Sequence, residues 1–279
     1  MKSDVLNRTE ISQAGDARCR LCEGQTALVF RKLLLGKYTV SFFQCAQCGS
    51  LQSEEPYWLA EAYSPSVDAI DTGAAQRVLH CVALTHCVMR LLGYRTTLDF
   101  GGGSGLLCRL LRDTGHDAYW YDQYSAPGYA TGFAGAPGET YDLITSFEVV
   151  EHFPDPRNDV GLLFSGKPKA LLLMTELYTG QNEDWSYLAP EEGQHIFFYS
   201  PEALRRIGAQ FGYHLLICRG FVLFLREEPT RFQRWFLQKF IRHRVVGWIK
   251  LFLLAGPGLG AQKDYEILSA RISGTTPQK

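Results

Sequence analysis

Near its start the chain carries four thiols as two Cys-x-x-Cys pairs, Cys19 with Cys22 and Cys45 with Cys48. Each pair sets two sulfurs on a tight knuckle. The 22 intervening residues contain two strand-like runs, Thr26 to Leu35 and Tyr38 to Gln44, joined at Gly36-Lys37. A hairpin with a knuckle at each end brings four thiolates to one tetrahedral centre, and zinc suits such a centre because it has no geometric preference of its own. The metal would consume all four positions, so the module reads as a folding device and not an open catalytic site. Two other readings stand beside it: a thioredoxin-like redox pair, although neither motif sits at a strand-to-helix junction, and four ordinary core cysteines. Cys81, Cys87, Cys108 and Cys218 lie in apolar segments and read as core.

A second chemical signal is Asp99-Phe100-Gly101-Gly102-Gly103-Ser104-Gly105, placed where a strand turns into a helix. Gly101, Gly103 and Gly105 permit a tight turn and close approach of backbone to a ligand, while the helix start offers free N–H groups. Alone, G-x-G-x-G says little. It gains weight from Asp122, which ends the next strand 21 residues after Gly101, where an acid can accept from ribose hydroxyls. Position 106 is Leu where a dinucleotide fingerprint has Gly, so the expected ligand is a nucleoside without a pyrophosphate.

Three parts must position these groups. Residues 15–53 form the cysteine module and 54–96 a helical linker or lid, with Glu54 to Tyr63 and Gly73 to Leu92 at helical spacing around a Ser-Pro-Ser break. The third part, 97–279, alternates strand and helix. Thr97 to Phe100, Ala118 to Tyr121, Tyr141 to Ser146 and Ala170 to Glu176 read as strands, Leu106 to Arg112 as a helix, and Ser200-Pro201-Glu202 opens a further helix. Strand and helix in this order predict an α/β fold with a doubly wound parallel sheet. Tyr213 to Arg226 and Asp264 to Ile272 are also β-like, the latter expected as the closing strand, with 229–260 a helical insertion before it.

With these segments in order, DFGGGSG, YDQY, YDLITSFEVVEHFPDP and GQHIFFYSPEALRRIGAQFGY, the chain resembles the class I S-adenosylmethionine-dependent methyltransferases. It is most similar to the branch that has an N-terminal zinc ribbon and includes sugar methyltransferases. The likeness spans roughly 15–226 and again 264–272. It implies a Rossmann-like sheet, S-adenosylmethionine as cofactor, and a structural zinc at the cysteines. Gly101, Gly103 and Gly105 match the loop under the methionine part of the cofactor, Asp99 the acid opening that loop, and Asp122 the ribose acid. Phe147 and Glu148 match the residues beside the methyl donor. One departure concerns Ser125 to Thr140, rich in Gly, Ala and Pro, where the family usually has a third strand; Phe133 is the candidate apolar wall for adenine there.

Methyl transfer to a hydroxyl or carbon acid also requires removal of a proton. Glu151, His152 and His195 are the candidate bases. Glu148, Glu151 and His152 at i, i+3, i+4 would share one face of a helical turn, and E-x-x-E-H resembles the ubiquinone-pathway O-methyltransferases, where the likeness implies magnesium. The bland alternative is that Glu151-His152 caps the following helix, and that His195 is a satisfied structural histidine. Trp185, Tyr187 and Tyr199 flank His195 and could stack on a sugar ring or simply pack.

The composition, 46% hydrophobic and 20% charged over 279 residues, excludes a disordered or fibrous chain. Its net charge of −1 gives no global drive toward nucleic acid. Seven basic and six acidic residues in 1–55 give the cysteine module no RNA footprint, which argues against an RNA methyltransferase gripping its substrate there. The intact glycine loop and Asp122 argue against a non-catalytic binding module. The expectation is thus a methyltransferase acting on a small molecule, a sugar, sugar nucleotide or glycan precursor. Met1 to Ile11 lacks the apolar core of a signal peptide, so a cytoplasmic protein is expected. Residues 231–254 carry six basic residues and no acid, interleaved with aromatics. That segment is read either as a lid or dimer face packed on the core, or as a peripheral contact with the inner face of an anionic membrane.

Overall fold

The computed structural model describes residues 18–64, 73–241, 246–249 and 259–273. The chain divides into two compact units. One comprises Met1–Asp71, Val150–Val160 and Glu176–Gln210, the other Thr72–Val149, Gly161–Thr175 and Phe211–Lys279. These boundaries differ from the expected 15–53, 54–96 and 97–279.

In the first unit, β1 (Thr26–Leu34) and β2 (Tyr38–Cys45) form an antiparallel hairpin. Leu35 and Gly36 both have positive φ, 53° and 64°, the backbone that a tight hairpin turn requires. β3 (Leu51–Ser53) pairs with β2, and β8 (Phe197–Phe198) pairs with the other edge of β3. The cysteine module therefore recruits a strand from far downstream, which covers the open edge of a three-residue strand. Leu34, Phe42, Leu51, Trp58, Tyr178, Leu188, Ile196 and Phe198 form one buried cluster. The helix expected over Glu54 to Tyr63 shrinks to α1 (Leu59–Ala62). Pro56 disfavours helix at Glu55, and Trp58, fully buried, donates its indole N–H to the Gly193 carbonyl at 2.8 Å.

In the second unit a six-stranded sheet runs β5-β4-β6-β7-β10-β9. These are β4 (Thr96–Phe100), β5 (Asp117–Tyr121), β6 (Leu143–Phe147), β7 (Ala170–Met174), β9 (His214–Cys218) and β10 (Phe221–Leu225). The first four are parallel, and β10 runs antiparallel to both β7 and β9. β7 and β10 are continuous apolar runs, and β4 and β6 are buried along almost their whole length although Thr, Ser and Asp interrupt them, as expected of strands covered on both faces. α2 (Ala74–Leu92) ends at Gly93 with φ 71°, and its Leu84, Val88 and Met89 pack in one cluster with Leu143, Leu172 and Leu223. This helix belongs to the sheet's core and is not a linker. α3 (Leu106–Asp113) follows the glycine loop.

The C-terminal expectation is corrected. Asp264 to Ile272 is no strand; it lies within an α-helix, Leu259–Ser273. The antiparallel position beside β7 is taken by β10, reached through a hairpin at Arg219-Gly220, and among the described residues no strand follows it. Helical spacing satisfies the same residues: Asp264 and Leu268 lie one turn apart on a single face, with Asp264 bound to Arg112 and Leu268 packed at Gly132. Within the basic segment, Arg231–Trp235 is α-helical and Phe236–Phe240 a π-turn, and Leu237, Ile241 and Val246 are buried in the sheet's cluster. Arg242, Arg244, Lys250 and Leu251 to Leu254 lie outside the described residues. Among the described residues no helix is long and apolar enough to cross a membrane.

Candidate functional site

From β4 the chain crosses to β5 on one side and then back past β4 to β6 on the other. The crevice beyond the carboxyl ends of β4 and β6 is thus a topological switch point, where open α/β sheets bind ligands. The glycine loop stands there. Gly101, Gly103 and Gly105 have φ of 73°, 52° and 78°. A Cβ at Gly101 would meet Val149 Cγ2 at 2.6 Å and one at Gly105 would meet Ala130 Cβ at 2.9 Å, whereas Gly103 faces open space. Two of these glycines are thus needed for packing, and the third leaves the backbone bare for a ligand.

Asp122 holds this loop. Its Oδ2 accepts from the Gly103 amide at 2.9 Å, and its Oδ1 accepts from the amides of Tyr124 and Ser125, both at 2.8 Å. A carboxylate offers about four acceptor positions, so three protein donors leave room for about one from a ligand. Asp99 is 4% exposed, and burial raises its carboxyl to about 7, against the pull of the Thr145 hydroxyl donating at 3.0 Å. Phe147 is half-buried among core side chains. Glu148 holds the left-handed backbone, φ 54°, and its amide donates to the Met174 carbonyl. Strain of that kind at a loop end costs about 1–3 kcal/mol and marks a position fixed by its surroundings.

Phe133 does not form an open adenine wall. It is 3% exposed, with the Arg112 guanidinium 3.7 Å from its ring centre. Of the family's third strand, one isolated parallel bridge remains, Trp120 with Ala134.

In the first unit the structure unites the three candidate bases. One donor atom each from Glu151, His152 and His195 lie within 4.8 Å of one another. Glu148 does not share their face, because its positive φ interrupts the turn and only Val150–His152 is helical, as a single 3-10 turn. His195 takes the place that spacing assigned to Glu148. Its Nδ1 donates to the Tyr187 carbonyl at 2.6 Å, and Tyr187 Oη donates to Glu151 Oε1. Tyr63 Oη lies 3.0 Å from His152 Nδ1, while His152 Nε2 is buried with no hydrogen-bond partner among the described residues. Burial drives His152 down to about 3, with His195 adding to the effect, so the ring is neutral at physiological pH. Tyr63, at His152, and Tyr187, bonded to both His195 and Glu151, have no sequence signal for these contacts beyond being aromatic. Tyr199 is 1% exposed and packs on Phe197, so it is core. Trp185 and Tyr187 are half-buried with ring centres 5.5 Å apart.

The four cysteines also converge. Cys19 and Cys48 sulfurs lie 3.7 Å apart, Cys22 and Cys45 sulfurs 3.5 Å, and all four fall within 4.8 Å of one another. A tetrahedral zinc with bonds of about 2.3 Å needs sulfurs about 3.8 Å apart, so the residues fit the ion. The amides of Gln47 and Cys48 donate to Cys45 Sγ at 3.3 and 3.4 Å, which fixes that sulfur on its knuckle. The hydrogen bond between Cys19 and Cys48 pulls Cys48 down to about 5 and pushes Cys19 up. Crowded thiols resist joint ionisation without a cation. Cys81 and Cys108 are buried and Cys87 and Cys218 half-buried, all four in apolar surroundings.

A family model described as "Methyltransferase domain" matches residues 77–216, just over half of the 279. No curated protein matches the chain. Among solved structures, magnesium protoporphyrin IX methyltransferase from Synechocystis PCC 6803 with bound SAH is 17% identical, with 54% of this chain and 85% of that one covered and a TM-score of 0.38. Human N-acetylserotonin methyltransferase with SAM is 15% identical, covering 53% and 52%, at 0.40. The small RNA methyltransferase HEN1 is 19% identical, covering 56% and 26%, at 0.36. By the family match, with the switch-point glycine loop and the parallel sheet behind it, this chain belongs to the methyltransferase domain family and is an S-adenosylmethionine-dependent methyltransferase of the class I fold.

Proposed function

We propose that the acceptor is a small molecule carrying hydroxyls, a sugar, sugar nucleotide or glycan precursor, and that His195 takes its proton. When bound, the cofactor supplies a methyl group already activated by a sulfonium. The protein's own task is to align the acceptor and receive its proton. The observation that carries this reading is the hydrogen bond from His195 Nδ1 to the Tyr187 carbonyl. A carbonyl only accepts, so Nδ1 carries a proton, and in the neutral ring Nε2 is then the basic nitrogen. Glu151, tethered by Tyr187, stands within reach to stabilise the imidazolium that results, and His152 stays uncharged beside it. The half-buried rings of Trp185 and Tyr187 support a sugar, whose C–H faces pack on aromatic rings. The cysteine geometry supports a structural zinc in the first unit.

His195→Ala tests the assignment. Loss of a general base is expected to cut kcat about 10²- to 10⁴-fold with cofactor affinity unchanged. Turnover within twofold of wild type on an active sugar acceptor would overturn it. A gel shift with RNA tests the alternative acceptor class; the near-neutral charge of residues 1–55 supports the small molecule.

The basic segment supports a peripheral membrane contact as part of this reading. Leu237, Ile241 and Val246 pack inward, yet Phe232, Trp235 and Trp248 are 60%, 53% and 75% exposed, and Arg231 and Lys239 are exposed in the same segment. Exposed aromatics among basic residues suit the interface of an anionic bilayer.

A further inference from the structure

The helix Leu259–Ser273 is α7, after α4 (Pro156–Ser165), α5 (Pro201–Phe211) and α6 (Arg231–Trp235); it lies far in sequence from the glycine loop, yet it is bonded to both flanks of it. On one flank is α3, whose N-terminus the loop opens. Arg112 of α3 is 5% exposed and meets Asp264, 3% exposed, through a fork: Nε to Oδ2 at 2.8 Å and Nη2 to Oδ1 at 2.7 Å. Arg109 Nη1 joins the same carboxylate at 2.7 Å. α7 approaches so closely that a Cβ at Gly260 would stand 1.7 Å from the Arg112 carbonyl oxygen. One buried and one half-buried guanidinium on a single carboxylate form a strong, directional tie.

On the other flank is the segment after Asp122. Arg271 Nη1 donates to the Gly132 carbonyl at 2.7 Å, and Leu268 lies 2.6 Å from the place of a Gly132 Cβ. Phe133 is held between the Arg112 and Arg271 guanidiniums, 3.7 and 5.9 Å from its ring centre. The same segment then reaches back to the loop. The amides of Gly128 and Tyr129 donate to the Ser104 carbonyl at 2.9 and 3.0 Å, and Ala130 packs against Gly105.

We infer that α7 stands in for the missing third strand, clamping residues 127–134 onto the glycine loop, and that Asp264 and Arg271 are positioning residues for the cofactor. A strand in the sheet would fix this segment by a ladder of backbone bonds; here one isolated bridge survives, and side chains of α7 supply the rest. Residues that touch only the rear of the loop then set how well its front is ordered before the cofactor arrives, and pre-ordering raises affinity without touching the ligand.

The inference rests on the glycine loop being the S-adenosylmethionine site, which titration of the wild-type chain decides separately. Arg271→Ala, Asp264→Asn and Asp264→Glu are compared in the full chain by calorimetric titration with S-adenosylmethionine and by steady-state kinetics. Arg271 is exposed, so its variant is expected to fold normally even where Asp264→Asn, which leaves two arginines facing an uncharged amide, does not. The expected result is a Kd and KM for S-adenosylmethionine raised about fivefold or more in Arg271→Ala and further in Asp264→Asn. The acceptor KM and saturated kcat should stay near wild type, amide exchange should rise over 127–134, and Asp264→Glu should recover part of the affinity. Wild-type cofactor affinity in a folded Arg271→Ala, or equal losses in cofactor and acceptor terms, overturns the proposal.

Discussion

Replacing Asp122 separates the two jobs that the structure gives it. In the free protein its carboxylate accepts three amides, from Gly103, Tyr124 and Ser125, at 2.8–2.9 Å. That leaves room for about one further donor, a ribose hydroxyl, instead of the pair that the sequence suggests. Losing one charge-assisted hydrogen bond costs about 1.5–3 kcal/mol, so Asp122→Ala should weaken S-adenosylmethionine roughly 10- to 150-fold. The variant also strips three amides of their acceptor, one at a half-buried residue and two at exposed ones. Water replaces part of each bond, so about 0.5–1.5 kcal/mol apiece, roughly 1.5–4.5 kcal/mol in all, should be lost from stability. Asp122→Asn keeps an oxygen for the turn and should lose less stability. Calorimetric titration gives the first quantity and urea unfolding the second. A destabilised Asp122→Ala that binds the cofactor as tightly as wild type would refute the ribose role and leave Asp122 a turn-former only.

Cys45→Ser should reduce a zinc content of one per chain to near zero by metal analysis and open 18–64 to protease, with S-adenosylmethionine binding retained; a zinc-free wild type purified without chelator would dispose of the metal. Asp99 gives a pH signature. Its folded pKa of about 7 lies above an unfolded value of about 3.9, so the native state binds more protons in between, and the stability it contributes is full below about pH 4 and lost as pH rises through 7. Urea unfolding at pH 5 and pH 8 should therefore show a gap that shrinks in Asp99→Asn, and an unchanged gap contradicts the burial argument. Anionic vesicles at low salt should carry the protein in a flotation gradient, and Phe232→Ser with Trp235→Ser should abolish that; flotation by neither wild type nor variant rules out the membrane contact.

The sequence by itself determined what is local. Two Cys-x-x-Cys pairs around a hairpin converge because a knuckle is made by adjacent residues and a hairpin returns the chain to its start. DFGGGSG opens a helix after a strand because three glycines at positive φ leave few other conformations. The apolar runs of β7 and β10 became inner strands because burial on both faces imposes no period that could be misread. What failed was pairing across distance. DYEILSARI has the alternation of a strand, but the sheet had already closed with the Tyr213 to Arg226 hairpin, and Arg112 offered a buried charge that only a helical Asp264 meets. The i, i+3, i+4 spacing put Glu148 with Glu151 and His152; one residue of positive φ broke the helix, and His195, forty-odd positions downstream, filled the place. β8 joined the cysteine module for a like reason: an unpaired strand edge is completed by whichever segment the fold brings beside it, and no residue of either strand records that meeting in advance.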